Sequence, residues 1–300
     1  MKNTKFMFKE KENLKEIFNK SLKDDVFSKL IESLKVDKSK LYKHTSALND
    51  SKEEIINCTN CKGLSECKNE LCGYRKIPVK DGEDISFTYK ACKYKDADLK
   101  KNSYKKNLDL YKMPPVLKEA KMKDIYTDDK ARLEAIKYID NFCKNYPEIN
   151  KGIYLHGNFG CGKTYLIAAL FNELAKKGIK SSIIYYPEFL RDLKASFQNK
   201  EDTSFADKYE YIKTIPYLLI DDIGAENVTA WGRDEILGTL LQYRMNEKLS
   251  TFFTSNLTLN ELESHLSLTS KTEDKVKARR ITERIKCLSE DIEIIGKNRR

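Results

Sequence analysis

Apolar residues recur at helical spacing through the first fifty positions: Leu14, Ile17, Phe18 and Leu22, then Val26, Phe27, Leu30, Ile31 and Leu34. Each set falls on one face, so two or three amphipathic helices are predicted over residues 8–50. The period then drops to two. Residues 77–79 and the run DISFTYKACKY from Asp84 flank a Lys80-Asp81-Gly82 turn, which predicts a β-hairpin. Between 93 and 112 the periodicity dissolves among lysines and asparagines, and Met113-Pro114-Pro115 forbids a continuous helix. A basic linker is therefore expected over residues 96–115, separating a first domain (1–95) from a second (116–300).

In the second domain helical stretches alternate with short β-rich apolar runs. The helices are expected at 128–145, 163–177, from Pro187, at 205–213, 229–247, 260–266 and 275–288, and the strands at 153–156, 181–186, 217–220, 251–254 and 291–295. Parallel strands need crossover helices, so this alternation specifies an α/β fold with a parallel sheet covered on both faces.

Composition narrows the setting. A chain of 300 residues, 40% apolar and 34% charged, has the material for about two domains with cores of their own. No apolar run reaches twenty residues, and the opening MKNTKFMFKEKENLKEIF mixes charge into every turn, so neither a signal peptide nor a membrane anchor is expected and the cytoplasm is the predicted compartment. The net charge of +10 is compatible with a polyanionic partner, and Tyr94, Tyr104 and Tyr111 among the linker lysines are candidates to touch nucleic acid. A solvated lysine-rich surface gives the same count, so the decision falls to particular residues.

The most specific of these is GNFGCGKT, from Gly157 through Asn158, Phe159, Gly160, Cys161 and Gly162 to Lys163 and Thr164. It stands between a predicted strand and a predicted helix, the context of a phosphate-binding loop. Its glycines let consecutive N–H groups turn onto phosphates, Lys163 reaches the β- and γ-phosphates, and Thr164 offers its hydroxyl to Mg²⁺. Tyr217-Leu218-Leu219-Ile220-Asp221-Asp222 is an apolar strand ending in two carboxylates, the Walker B pattern. Asp221 belongs with the Mg²⁺ and Asp222 with the attacking water, Glu226 being available to assist. Strand 251–254 ends in Ser255-Asn256, placing a neutral polar group beside the γ-phosphate. Arg280 and Arg284 share one face of a late helix.

Of eight cysteines, five crowd into 58–92, and without an export signal metal binding is the better reading than a disulfide scaffold. Cys58 and Cys61 form a pair spaced for one Zn²⁺, with Cys67, Cys72 and Cys92 as candidates for the two remaining places. Cys143 and Cys287 read as small core residues, and His44, His156 and His265 are scattered and receive no catalytic or metal role.

The succession of phosphate loop, LLIDDIGAE strand, FFTSN strand end and ARRITERI helix resembles the AAA+ ATPases of the bacterial helicase-loader group. With YYPEFLRDLK and NVTAWGRDEILGTLLQYR added, the chain is similar over essentially its whole length to the primosomal DnaI family of Gram-positive bacteria. The resemblance implies a five-stranded parallel sheet of order 5-1-4-3-2 preceded by a small helical and zinc-binding domain. It implies ATP, Mg²⁺ and Zn²⁺, with Asn256 as sensor 1 and Arg280 as the arginine finger, Arg284 being the rival and Arg299 a sensor 2 candidate. The first domain would grip the hexameric replicative helicase, and the second would hydrolyse ATP, self-associate and contact single-stranded DNA, with no membrane partner. Related ATPases carry Glu where Asp222 stands, which implies slow turnover. The family's zinc set is a Cys pair, a His after Gly-Tyr and a Cys after the hairpin. Here Arg75 follows Gly73-Tyr74 and cannot ligate zinc, so the expected set is Cys58, Cys61, Cys72 and Cys92, with Cys67 as the substitute. Two other readings share these motifs: a transposition-helper ATPase, which would match the second domain alone, and a zinc-dependent DNA-binding regulator with a structural nucleotide.

Overall fold

A computed structural model describes residues 14–127, 130–198, 204–269 and 271–298. The chain divides into two compact units, Met1–Ser103 and Tyr104–Arg300.

The first unit pairs a helical lobe with a hairpin. Helices at 14–21, Asp25–Leu34 and Thr45–Thr59 bury Phe18, Phe27, Ile31, Leu34 and Leu48; of the predicted apolar positions, Leu14 and Ile17 are exposed. Asp24 caps the second of these by accepting the N–H groups of Val26 and Phe27 at 3.0 Å each. Strands β1 (Tyr74–Asp81) and β2 (Asp84–Ala91) pair antiparallel around the predicted turn, with Asp81 opposite Asp84. Only Ile85 of the hairpin joins the apolar cluster of buried residues.

The expected linker is ordered chain. Lys93–Lys101 is a helix of the first unit, and Leu108–Tyr111 is a strand, β3, of the second. Four residues between lysines carry too little periodicity to announce a strand, and the partner of β3 lies some seventy positions onward in Ser181–Tyr185, β5. The sheet of the second unit consequently has six strands instead of five. With β4 (Gly152–Gly157), β6 (Tyr217–Asp221), β7 (Ser250–Ser255) and β8 (Ser289–Ile294), its order is β3-β5-β6-β7-β4-β8, every pair parallel. Without β3 this is the expected 5-1-4-3-2 order.

β4, β6 and β7 lie almost wholly in the interior, as strands covered on both faces must. Alternate residues serve opposite faces. Ile153, Leu155, Leu219 and Phe252 pack with helices Leu133–Lys144 and Lys163–Lys176, while Tyr154, Leu218, Ile220 and Phe253 pack with Gly238–Asn246, Leu259–Leu266 and Thr272–Leu288. The first of those helices was expected from residue 128; positions 128 and 129 lie outside the described residues, and Leu133–Lys144 follows a 3₁₀ turn at Lys130–Arg132. The helix expected at 229–247 opens as π-helix, Trp231–Leu237, before it becomes regular.

One buried cation braces this unit. Arg244 is fully buried and donates to the carbonyls of Ile212, Lys213, Ile215, Pro216 and Ser250 and to Thr251 Oγ1, over 2.8–3.3 Å. Desolvation pulls its guanidinium down to about 9, since neutral carbonyls return only part of what water gave the charge.

Candidate active site

The carboxyl ends of β4, β6 and β7 lie side by side in the centre of the sheet, which is where ligands enter open parallel sheets. Between β4 and helix Lys163–Lys176 the phosphate loop turns through three glycines at positive φ: Gly157 (132°), Gly160 (73°) and Gly162 (87°). Any side chain would be excluded at Gly157, where a Cβ would stand 2.0 Å from the carbonyl oxygen of Ile294 in β8. At Gly160 a Cβ would meet Asn298 Oδ1 at 2.2 Å, so the segment following β8 lies directly against the loop. Phe159, at the tip, is 68% exposed, whereas Cys161 is buried.

The predicted residues meet through hydrogen bonds. Lys163 Nζ donates at 2.9 Å to the carbonyls of Gly157 and Asn158 and to Asn256 Oδ1. Asn256 Nδ2 in turn donates to Asp222 Oδ1 at 3.0 Å. A single carboxamide therefore joins the loop lysine to the second Walker B carboxylate. Thr164 Oγ1 donates to Asp221 Oδ1 at 2.6 Å, which brings the two expected Mg²⁺ groups together. Thr254 Oγ1 donates to the same oxygen at 2.7 Å and accepts the N–H of Asp222 at 2.9 Å. Burial pushes the Asp221 carboxyl up, and the two hydroxyls oppose the shift. Asp222 is held at φ 57°, a left-handed conformation unusual for a residue with a side chain. Glu226 is buried, its carboxyl raised by desolvation, and accepts the N–H of Gly224 at 2.7 Å.

The arginines separate clearly. Arg284 Nη1 donates to Gly238 O at 2.9 Å within its own chain, while Arg280 is exposed on the helix Thr272–Leu288. Arg299 lies outside the described residues. Thr254 and the buried Arg132, whose Nη2 would be 3.3 Å from a Cβ at Gly162, were not anticipated. For Thr254 the signal was its place between the apolar strand and Asn256; Arg132 reads in sequence as one more surface cation.

In the first unit, Cys58, Cys61, Cys67 and Cys92 line a cavity of about 280 Å³ together with Gly73, Tyr74 and Arg75. Of the two thiols that could complete the expected set, Cys67 lines the cavity, whereas Cys72 is exposed, donates from its Sγ to Leu64 O at 3.3 Å and lies within hydrogen-bond reach of Cys67. The Gly73 N–H donates to Cys67 Sγ at 3.2 Å and, as the largest influence, holds that thiol below its ordinary range. Asn69 Nδ2 donates to Cys58 Sγ at 3.4 Å. An all-sulfur donor set with N–H groups aimed at it fits Zn²⁺ in its chemistry. Among the described residues, however, no three His, Cys, Asp or Glu side chains come together closely enough to hold a metal.

Comparisons with known proteins place this geometry. The family described as IstB-like ATP binding protein matches residues 95–300. The replicative helicase loader DnaI of Bacillus subtilis (strain 168) is 39% identical over 295 residues, 96% of this chain and 93% of that protein. The chain belongs to the DnaI family. A crystal structure of DnaI is 44% identical with a TM-score of 0.58, covering 66% of this chain and 99% of the other. That of a primosome component from Streptococcus pyogenes serotype M3 is 32% identical with a TM-score of 0.57, covering 67% and 100%. DnaI-type similarity thus runs through both units, whereas the IstB-like match spans the region from residue 95 onward. Among the described residues no helix is long and apolar enough to cross a membrane.

Proposed function

We propose that this chain is an ATP-dependent loader of the replicative hexameric DNA helicase onto single-stranded DNA. The observation that carries the reading is the Lys163–Asn256–Asp222 connection, set in a chain related to a helicase loader over 96% of its length. ATP entering the loop replaces the carbonyls of Gly157 and Asn158 as partner of Lys163, and Asn256, losing that lysine, turns to the terminal phosphate and the lytic water. Asp222 orients and polarises the water. Thr164 and Asp221 would hold Mg²⁺, which would supply neutralising charge to the β- and γ-phosphates. Arg280, exposed and uncommitted to its own subunit's backbone, serves the neighbouring subunit's phosphate in the assembled state, and Arg284 is structural. The first unit takes the helicase, and Cys58, Cys61, Cys92 and Cys67, the last in place of the more exposed Cys72, are the thiols that would hold Zn²⁺. ATP binding favours the loading complex and hydrolysis favours release, in the cytoplasm.

The test is direct. With ATP present, the purified chain should retain the replicative helicase and bind single-stranded DNA; binding of neither removes the loading role. The IstB-like match gives a transposition-helper reading some support, but the similarity through the first unit favours the loader. A regulator with a structural nucleotide would have no use for the Asn256 connection, and equal ATP turnover by wild type and Lys163→Ala would restore it.

A further inference from the structure

Asp221 Oδ1 accepts two hydroxyls, Thr164 Oγ1 at 2.6 Å and Thr254 Oγ1 at 2.7 Å. The first follows the phosphate loop. The second comes from β7, where Thr254 is only 2% exposed, and its oxygen also accepts the N–H of Asp222 at 2.9 Å. A hydroxyl has one proton to give, and the proton of Thr254 goes to a carboxylate.

The next hydroxyl along β7 makes a contrast. Ser255 Oγ donates to Ile223 O at 2.6 Å and accepts the N–H of Leu257 at 3.1 Å, so it ties backbone to backbone. The N–H of Ile223 donates to Thr254 O at 3.0 Å. The ends of β6 and β7 are therefore joined through Ser255 and the main chain, without the Thr254 side chain. What that side chain adds falls on Asp221 and Asp222 alone.

With both hydroxyls on Oδ1 the carboxyl group of Asp221 is fixed in its plane, and Oδ2 is the oxygen turned to any cation. Through the other bond of the same hydroxyl, Asp222 keeps its left-handed backbone, φ 57°, from which its Oδ1 meets Asn256 Nδ2 at 3.0 Å. One buried oxygen thus sets the direction of both carboxylates.

We propose that Thr254 is a positioning residue for Mg²⁺, acting through Asp221, whose oxygen it turns to the cation, and through Asp222, which it holds beside Asn256. The inference rests on binding of nucleotide with Mg²⁺ at the phosphate loop.

Calorimetric titration of the full chain with a non-hydrolysable ATP analogue, in MgCl₂ and in EDTA, tests it. MgCl₂ should tighten binding to wild type. Thr254→Val keeps the branched shape and removes the hydroxyl, so the tightening should shrink about tenfold while affinity in EDTA stays at the wild-type value. Thr254→Ser returns a hydroxyl and should restore the tightening, and Ser255→Ala should leave it intact. Thr254→Ala replaces Thr254→Val if the latter fails to fold. Full tightening in folded Thr254→Val or Thr254→Ala protein overturns the proposal. So does an equal loss in MgCl₂ and EDTA, which makes the hydroxyl part of the scaffold, or a Thr254→Ser protein as impaired as Thr254→Val. If wild type binds the analogue equally in both solutions, the Mg²⁺ reading fails and this inference with it; if Thr164→Val loses the tightening and Thr254→Val keeps it, only this inference fails.

Discussion

The phosphate loop and the thiol cavity are two sites of one chain, held in readiness by different means. In the second unit the groups predicted to meet phosphate and Mg²⁺ already have partners: Lys163 bonds to two carbonyls and Asn256, and Asp221 to two hydroxyls. Behind them stands a sheet with large apolar clusters on both faces. In the first unit the thiols share a cavity without closing on one another, and the hairpin beside them gives the core little beyond Ile85. A site backed by a deep core can be pre-formed, because burial of the scaffold supplies its order. A site on a thin lobe borrows order from what it binds.

Substitutions can break that contrast. The largest effect is expected at Lys163→Ala, where ATP turnover should fall on the order of a thousandfold while urea denaturation followed by Trp231 fluorescence stays near wild type. Trp231 is the sole tryptophan and lies in the second unit, so its signal reports that unit alone. A large drop in denaturation midpoint would mean that the loop is part of the scaffold. Arg244→Met should cost the second unit about 3–5 kcal/mol by the same measurement, because carbonyls gathered around one guanidinium lose their donor inside the core. An unchanged midpoint would remove the brace from this account.

For the thin lobe, one zinc per chain should drop to near zero in Cys58→Ser and Cys67→Ser and persist in Cys72→Ser, with the Trp231 midpoint unmoved throughout. Retention in Cys67→Ser with loss in Cys72→Ser would return the ligand role to the thiol expected from sequence. The smallest effect belongs to Glu226→Gln. Burial raises the Glu226 carboxyl above its unfolded value, so its contribution to stability is complete at acid pH and is lost as pH rises through the raised value. The variant should match wild type near pH 5 and gain on it towards pH 8; a gap that closes with rising pH would contradict the assignment.

What sequence made legible follows the same division. The apolar strands of the sheet, Asp221, Asp222 and Asn256 were visible because a strand buried on both faces is a continuous apolar run and its polar end is conspicuous. β3 was hidden, since LDLY among lysines resembles linker and its partner is distant in the chain. Arg132 and Arg244 were hidden for a related reason: a buried cation looks like a surface cation until the carbonyls or glycine around it are brought together by the fold. Cys67 and Cys72 could not be ranked by spacing, because the loop between the cysteine pair and β1 decides which sulfur faces inward.

The contact of Gly157 with Ile294 has a consequence for the order of synthesis. The phosphate loop leaves the ribosome early in the second unit, but its strand β4 is flanked on one side only by β7 until β8 has been made. A nascent chain stopped at residue 288 should therefore capture no ADP. ADP capture by the chain stopped at residue 288 equal to that of the full chain would show that the loop takes its shape without the strand that closes against it.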